Sequence, residues 1–206
     1  MNNKVYDLKN GEGYIKEFNN RGKLIFEGKY LNGKRNGKGK EYYSNGNIIF
    51  EGEYLNGKRN GKGKEYDSNG NLRFEGEYLY DKKLSGKYYI DGKIEYEGEY
   101  LYDKKWNGKG YDKNGKIIYE LKNGTGKVKE YDFYKNIKFE GEYLNGKRSG
   151  KGKEYFIGTL EFEGEYLNGE RRNGKGKEYD DEGKLVFEGE YLNGERLNEK
   201  EYISNN

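Results

Sequence analysis

The groups that could do chemistry in this chain are lysines and glutamates, and they recur in fixed phrases. Lysines stand at Lys38, Lys40, Lys62, Lys64, Lys151, Lys153, Lys175 and Lys177 within Gly-Lys-Gly-Lys runs; carboxylates stand at Glu51, Glu53, Glu163 and Glu165 within Glu-Gly-Glu runs. A lysine stripe could hold the phosphates of an anionic lipid or a nucleic acid. Counterion release rewards an excess of positive charge, however, and 40 basic residues here meet 37 acidic ones for a net charge of +3. The lysines therefore read as half of a solvated, balanced face, and no nucleic-acid partner is expected. Two carboxylates could cleave a glycosidic bond, but that needs one distinct pair with separated pKa values. Every phrase offers the same glutamates. Gly-Lys-Gly-Lys is no phosphate-cradling loop, because no Ser or Thr closes it and no helix follows. Asp67-Ser68-Asn69-Gly70-Asn71 carries oxygen donors without the closing glutamate of a calcium loop. With no His and no Cys, the usual general base and the thiolate ligands are missing. No catalytic residue, metal ligand or cofactor is assigned, and the chain is not expected to be an enzyme.

Composition says what kind of scaffold must carry these groups. Leu, Ile, Val and Phe are scarce and Ala is absent, a profile that in itself suggests disorder. Yet 24 Tyr and 9 Phe supply apolar material that disordered segments lack. These aromatics return at regular intervals. Phe50-Glu51-Gly52-Glu53-Tyr54-Leu55 reappears from Phe74, Tyr96, Phe139, Phe162 and Phe187, with a lysine variant from Phe26. Gly61-Lys62-Gly63-Lys64-Glu65-Tyr66 has copies from Gly37, Gly150 and Gly174. A period of this size marks a repeat array. Units begin near residues 5, 26, 50, 74, 96, 118, 139, 162 and 187, so residues 1–206 read as one array. The units starting at Val5 and Ile118 are shortened and read as lacking the first turn. The Ile118 unit lies inside the array and is expected to pair on both sides.

Each unit holds two turn signals. The first is Asn-Gly at Asn32-Gly33, Asn56-Gly57, Asn145-Gly146, Asn168-Gly169 and Asn193-Gly194; the second is Asn45-Gly46, Asn69-Gly70, Asp91-Gly92, Asn114-Gly115 and Glu182-Gly183. Asn-Gly favours tight hairpins because both residues tolerate positive φ. Glycine recurs too often for any helix to survive. Period-2 alternation places Phe50, Gly52 and Tyr54 on one face with Glu51 and Glu53 on the other, and likewise separates Gly61 and Gly63 from Lys62 and Lys64. Rings are expected to lie flat over glycine backbone, with Glu and Lys paired across the opposite face. The fold class that follows is all-β: an elongated, twisted, single-layer antiparallel β-sheet of about nine hairpin repeats, roughly 16–18 strands in all.

Phe50-Glu51-Gly52-Glu53-Tyr54, Asn56-Gly57-Lys58 and Gly61-Lys62-Gly63 resemble the MORN family (membrane occupation and recognition nexus). The second-turn motif is also similar to a bacterial variant of this repeat, found in antitoxin-like proteins. The resemblance runs from about residue 5 to residue 202. It implies a twisted single-layer antiparallel sheet. Members serve as cytoskeletal or cortical scaffolds, as parts of lipid kinases and lysine methyltransferases, and as junctional membrane tethers. Tyr54 and its equivalents stand where animal repeats carry Trp.

Two consecutive units depart from the pattern. Tyr80-Asp81 and Tyr102-Asp103 occupy the place of Asn-Gly, and Trp106, the only Trp, follows the second. Trp and Tyr dominate binding hot spots, so Tyr80, Asp81, Tyr102, Asp103 and Trp106 make up the candidate partner-binding patch. The expected function is non-enzymatic: an elongated structural scaffold or protein–protein interaction module. A peripheral binder of anionic membrane phospholipid and an antitoxin-like protein binder are the alternatives. Partners are expected to be proteins, with a membrane surface the weaker expectation. Any homo-oligomer is expected to use the N-terminal edge or the aromatic face, because Asn198 and Lys200 fill glycine positions and should end the array. The N-terminal residues lack a signal-peptide apolar stretch and no window reaches the length of a membrane span. A cytoplasmic location is expected, including at a membrane or cytoskeletal assembly surface.

Overall fold

The computed structural model describes residues 4–132, 134–179 and 184–197, and among these every regular element is a strand. The expectations placed on Glu182-Gly183, Asn198 and Lys200 lie outside the described residues. The chain divides into two compact units, Met1–Asp103 and Lys104–Asn206. The first holds β1 (Lys4–Lys9), β2 (Glu12–Phe18), β3 (Leu24–Leu31), β4 (Lys34–Tyr42), β5 (Ile48–Leu55), β6 (Lys58–Tyr66), β7 (Leu72–Leu79), β8 (Lys82–Ile90) and β9 (Lys93–Leu101). The second holds β10 (Lys104–Tyr111), β11 (Ile117–Leu121), β12 (Gly126–Tyr131), β13 (Ile137–Leu144), β14 (Lys147–Phe156), β15 (Thr159–Leu167), β16 (Glu170–Tyr179), β17 (Leu185–Leu192) and β18 (Glu195–Arg196). Consecutive strands pair antiparallel from β1 through β9 in the first unit. In the second, β10 pairs with β11, and β12 through β18 pair in order.

Turn chemistry produces this meander. Both residues of each first turn have positive φ, for example 51° at Asn56 and 89° at Gly57, the hairpin geometry whose twist matches the flanking strands. The second turn around Gly46 is longer. Tyr43 N–H donates to Asn47 O (2.8 Å) and Gly46 N–H to Tyr43 O (3.0 Å). Asn10-Gly11 and Asn123-Gly124 also have positive φ at both residues. The two shortened units, expected to lack the first turn, therefore possess it; the Glu-Gly-Glu phrase before it is what they have lost.

The expectation that the Ile118 unit pairs on both sides is not met. β11 and β12 share a single bridge, Lys122↔Thr125, and no ladder. The turn between them bonds along the edge instead: Gly124 N–H donates to Trp106 O (2.8 Å) and Gly146 N–H to Gly124 O (2.9 Å). Leu121 and Val128 are buried, and a Cβ at Gly126 would lie 3.2 Å from the Leu121 side chain. The backbones still come close there, since the same Cβ would lie 2.5 Å from Glu120 O.

The core is a zip of aromatic rings on one face. Phe50 meets Tyr54 at 5.6 Å and Tyr78 at 5.2 Å, both edge-to-face at 87°, a favoured arrangement for ring quadrupoles. Phe162 repeats the pattern with Tyr166 and Tyr191, each at 5.4 Å. Register sets Gly52 opposite Gly63 and Glu51 opposite Lys64. A Cβ at Gly52 would stand 2.7 Å from both the Gly63 Cα and the Phe50 Cζ, and one at Gly63 would strike the same ring. The nearest ring atom is Cζ, so each Phe rests its end on the glycines, whereas flat stacking was expected.

Gly52→Val and Gly76→Val should therefore each cost about 2–3 kcal/mol or more, because backbone and ring must both move. Glu51→Gln, on the opposite face, should cost less than about 1 kcal/mol. Urea denaturation of the variants measures this; equal tolerance of the two kinds of change would mean the faces are reversed.

Candidate interaction site

The first turns of successive hairpins line one edge of the first unit. At Tyr80-Asp81 and Tyr102-Asp103 the backbone keeps the Asn-Gly conformation, with φ of 49° and 73°, then 51° and 65°. Left-handed backbone is unusual for a bulky residue such as Tyr. The aspartates hold it in place. Asp81 Oδ1 accepts from Arg59 N–H (2.8 Å), and Asp103 Oδ1 accepts from Lys83 N–H (2.9 Å). Lys82 Nζ reaches Asp103 Oδ2 at 2.7 Å, tying the two turns together. Both rings point outward: Tyr80 is 53% exposed and Tyr102 78%. Leu55, Leu79 and Leu101, the last residues of β5, β7 and β9, are exposed beside them. Trp106 lies in the second unit, half-buried. Its ring covers Gly124, where a Cβ would come within 2.8 Å of the indole. Four of the five candidate residues thus share one edge, and the fifth packs a turn of the other unit.

The candidate lysines fall into two rows. Lys40, Lys64, Lys153 and Lys177 pair with Glu51, Glu75, Glu163 and Glu188 at 3.4, 3.7, 3.1 and 3.2 Å. Lys38, Lys62 and Lys151 stand in the parallel row, opposite Glu53, Glu77 and Glu165, with glycines between the rows; the register shift of β16 against β15 puts Lys175 opposite Glu163, in the row of Lys153, and Asn173 opposite Glu165. In the first unit these rows wall a groove of about 960 Å³, floored by Gly39, Gly52, Gly63, Gly76 and Gly86. A phosphate entering it would meet carboxylates as often as ammonium groups. Asp67, the faint calcium-loop residue, instead closes its turn by accepting from Asn69 and Asn71 N–H at 2.9 Å each. Among the described residues no cluster of Asp, Glu, His or Cys could hold a metal ion.

A second charged system lies on the aromatic face. Arg59 bridges Glu41 (2.7 Å) and Glu65 (2.9 Å), with its guanidinium 4.2 Å over the Phe50 ring. Arg148 bridges Glu130 (3.0 Å) and Glu154 (2.7 Å) and sits 4.2 Å over Phe139. Tyr54 donates to Glu41 (2.8 Å) and Tyr143 to Glu130 (2.6 Å). All charge had been expected on the opposite face. Continuing the alternation Gly61, Gly63 by one step to Glu65 would have placed that carboxylate among the rings. Burial alone would raise the Glu41, Glu130 and Glu154 carboxyls, but arginines outweigh it, joined at Glu41 and Glu130 by tyrosine hydroxyls, and hold all three low. Arg196 does most to lower Glu178. Burial, then hydrogen bonding to Glu17, Glu51 and Glu75, pushes the Tyr30, Tyr66 and Tyr89 phenols up to about 12.

Family models of the MORN repeat match residues 26–48, 50–72 and 139–157, and a model of the MORN repeat variant matches residues 172–193. The stretch holding Tyr80 and Tyr102 falls between these matches. Among curated proteins no match is found.

These shifts predict a plateau of stability with two flanks. Carboxyls lowered by folding stabilise above their unfolded value and lose that contribution as pH falls through the folded value. Phenols raised by folding stabilise below their unfolded value of 10.0 and lose the contribution as pH rises toward about 12. The urea midpoint should therefore be flat near neutrality, fall below about pH 4.5, and fall again above about pH 10. A midpoint that rises on acidification would contradict the assignment.

Proposed function

This chain is a MORN repeat protein, and we propose that it is a non-enzymatic protein-interaction scaffold whose partner contacts the first-turn edge of the first unit. One observation carries the reading. Two adjacent repeats replace Asn-Gly with Tyr-Asp, keep the left-handed backbone and expose the rings. Such a conformation costs a bulky L-residue on the order of 1–2 kcal/mol, and an exposed ring returns little folding energy. Strain of this kind points toward function. Tyr also offers a large contact area with few rotatable bonds. The array suits a scaffold, because each repeat touches only its neighbours and a turn can change without disturbing the core. The ion-paired lysines of the opposite face give an anionic membrane surface less to hold.

Tyr80→Asn combined with Tyr102→Asn restores the usual turn residue while leaving both aspartates. The thermal midpoint should hold or rise, and a partner co-purifying from the native source should be lost. Lys151→Gln, in the second unit, should retain it. Trp106→Ala should lower the midpoint by uncovering Gly124, so it serves as the stability control. Retention of the partner by the double Asn variant would remove the tyrosine edge from the reading.

A further inference from the structure

Resting on that reading, we infer that the tyrosine edge binds a basic, proline-rich segment of another protein in the polyproline II conformation. Three features converge on that chemistry. The first is spacing. Tyr80 and Tyr102 occupy equivalent positions in successive first turns, two strands apart. Strands lie about 4.8 Å apart, so equivalent positions repeat every ~9.6 Å. One turn of polyproline II, three residues at about 3.1 Å, advances ~9.3 Å and brings every third side chain back to the same side. An extended strand repeats its faces at about 6.7 Å, and a helix needs seven residues and about 10.5 Å. Polyproline II fits this step best.

The second feature is what the edge offers. Tyr80 and Tyr102 project beside exposed Leu79 and Leu101, the aromatic and aliphatic surface on which proline rings pack. Both phenol hydroxyls stand on exposed rings, open to a partner's acceptors. A polyproline II backbone has no internal hydrogen bonds, so its carbonyl oxygens remain as acceptors for exposed hydroxyls. The aspartate contacts fix both turns beforehand, which spares ordering on binding.

The third feature is charge. Along the row beside this edge the register reads Lys62, Glu77, Ser85, Glu99. Ser85 takes the place that Lys38 and Lys62 hold in earlier strands, so the row turns acidic beside the tyrosines. Lys82 brings no excess positive charge, since it is paired with Asp103. A segment carrying Arg or Lys next to its prolines complements this row. No Pro occurs among these 206 residues, so the repeat array, in this copy or a second one, cannot itself supply the segment.

The experiment is a calorimetric titration of the full chain with three synthetic peptides: an arginine-flanked peptide with proline at every third position, the same peptide with glutamates for arginines, and one with alanines for prolines. The first should bind saturably and weaken with added salt; the other two should bind at least about tenfold more weakly. Tyr80→Asn with Tyr102→Asn should abolish binding without lowering the thermal midpoint, and Ser85→Lys should weaken it several-fold. No saturable binding of the first peptide, or binding that ignores these variants, overturns the inference. Equal binding of the alanine peptide overturns it in favour of a helix. If the native partner is still lost from the double Asn variant while the proline peptide fails, the edge remains an interaction surface and only the ligand class falls. If the partner is retained as well, both readings fall.

Discussion

A phenylalanine ring end resting on two facing glycines is the contact on which everything else in this structure depends. Phe50 over Gly52 and Gly63, Phe74 over Gly76 and Gly86, and Phe139 over Gly141 and Gly152 repeat it along both units. The contact needs backbone bare of side chains, which accounts for the glycines that face the rings, while those such as Gly33, Gly57 and Gly169 serve the turns. It also lets a chain poor in aliphatic residues bury apolar surface without a second layer of structure. Each ring spans its own strand and the next, so the array grows by adding identical contacts.

Burying rings this way leaves their outer surface to be covered, and arginine does it. Arg35, Arg59, Arg148, Arg171 and Arg196 lie over Phe26, Phe50, Phe139, Phe162 and Phe187. A guanidinium is well suited, because it can stack on a ring and fork to carboxylates at once. Arg35 contacts Glu17 and Glu41, and Arg59 contacts Glu41 and Glu65, so neighbouring repeats share their anions. Partly buried ion pairs are weak evidence for stability, because desolvation offsets much of the attraction. Their stronger role here is register: a slip of one residue would move every glycine out from under its ring and every glutamate away from its arginine.

The strand content, the turns of the full-length units and the separation of Phe from Glu on each strand were legible because each rests on local rules, φ tolerance and period-2 alternation. Three things were not. The arginine–glutamate ladder was hidden because the alternation was followed through the glycines and stopped short of Glu65 and Arg59. The break between β11 and β12 was hidden because Asn123-Gly124 has the chemistry of an ordinary hairpin turn, yet only the Lys122↔Thr125 bridge follows it. Trp106 looked like a companion of Tyr102 because they are four residues apart in the chain. Its ring is engaged with Gly124, eighteen residues further on in the sequence, and proximity in sequence carried no information about that.

Several departures from the repeat gather on neighbouring strands. In β8, Lys83 stands in the arginine position and pairs with Glu65 at 2.8 Å. Tyr88 stands in the glutamate position, opposite Phe74, and Ser85 in the lysine position. The buried Tyr100 hydroxyl makes no hydrogen bond among the described residues, although its equivalents Tyr54 and Tyr143 do and Tyr78 keeps Glu65 beside its hydroxyl. For Tyr100 the cause is visible: Tyr88 occupies the place of the glutamate that would accept. An unsatisfied buried hydroxyl costs on the order of 1–3 kcal/mol, and strained tyrosine turns lie on the same strands. A repeat chain that drifted without constraint would shed such costs one at a time, since each can be reversed by restoring a residue its neighbours already carry. Their concentration on β7, β8 and β9, with the zip of Phe74, Tyr78 and Tyr100 still intact, fits a segment that gives up stability locally for the surface it presents.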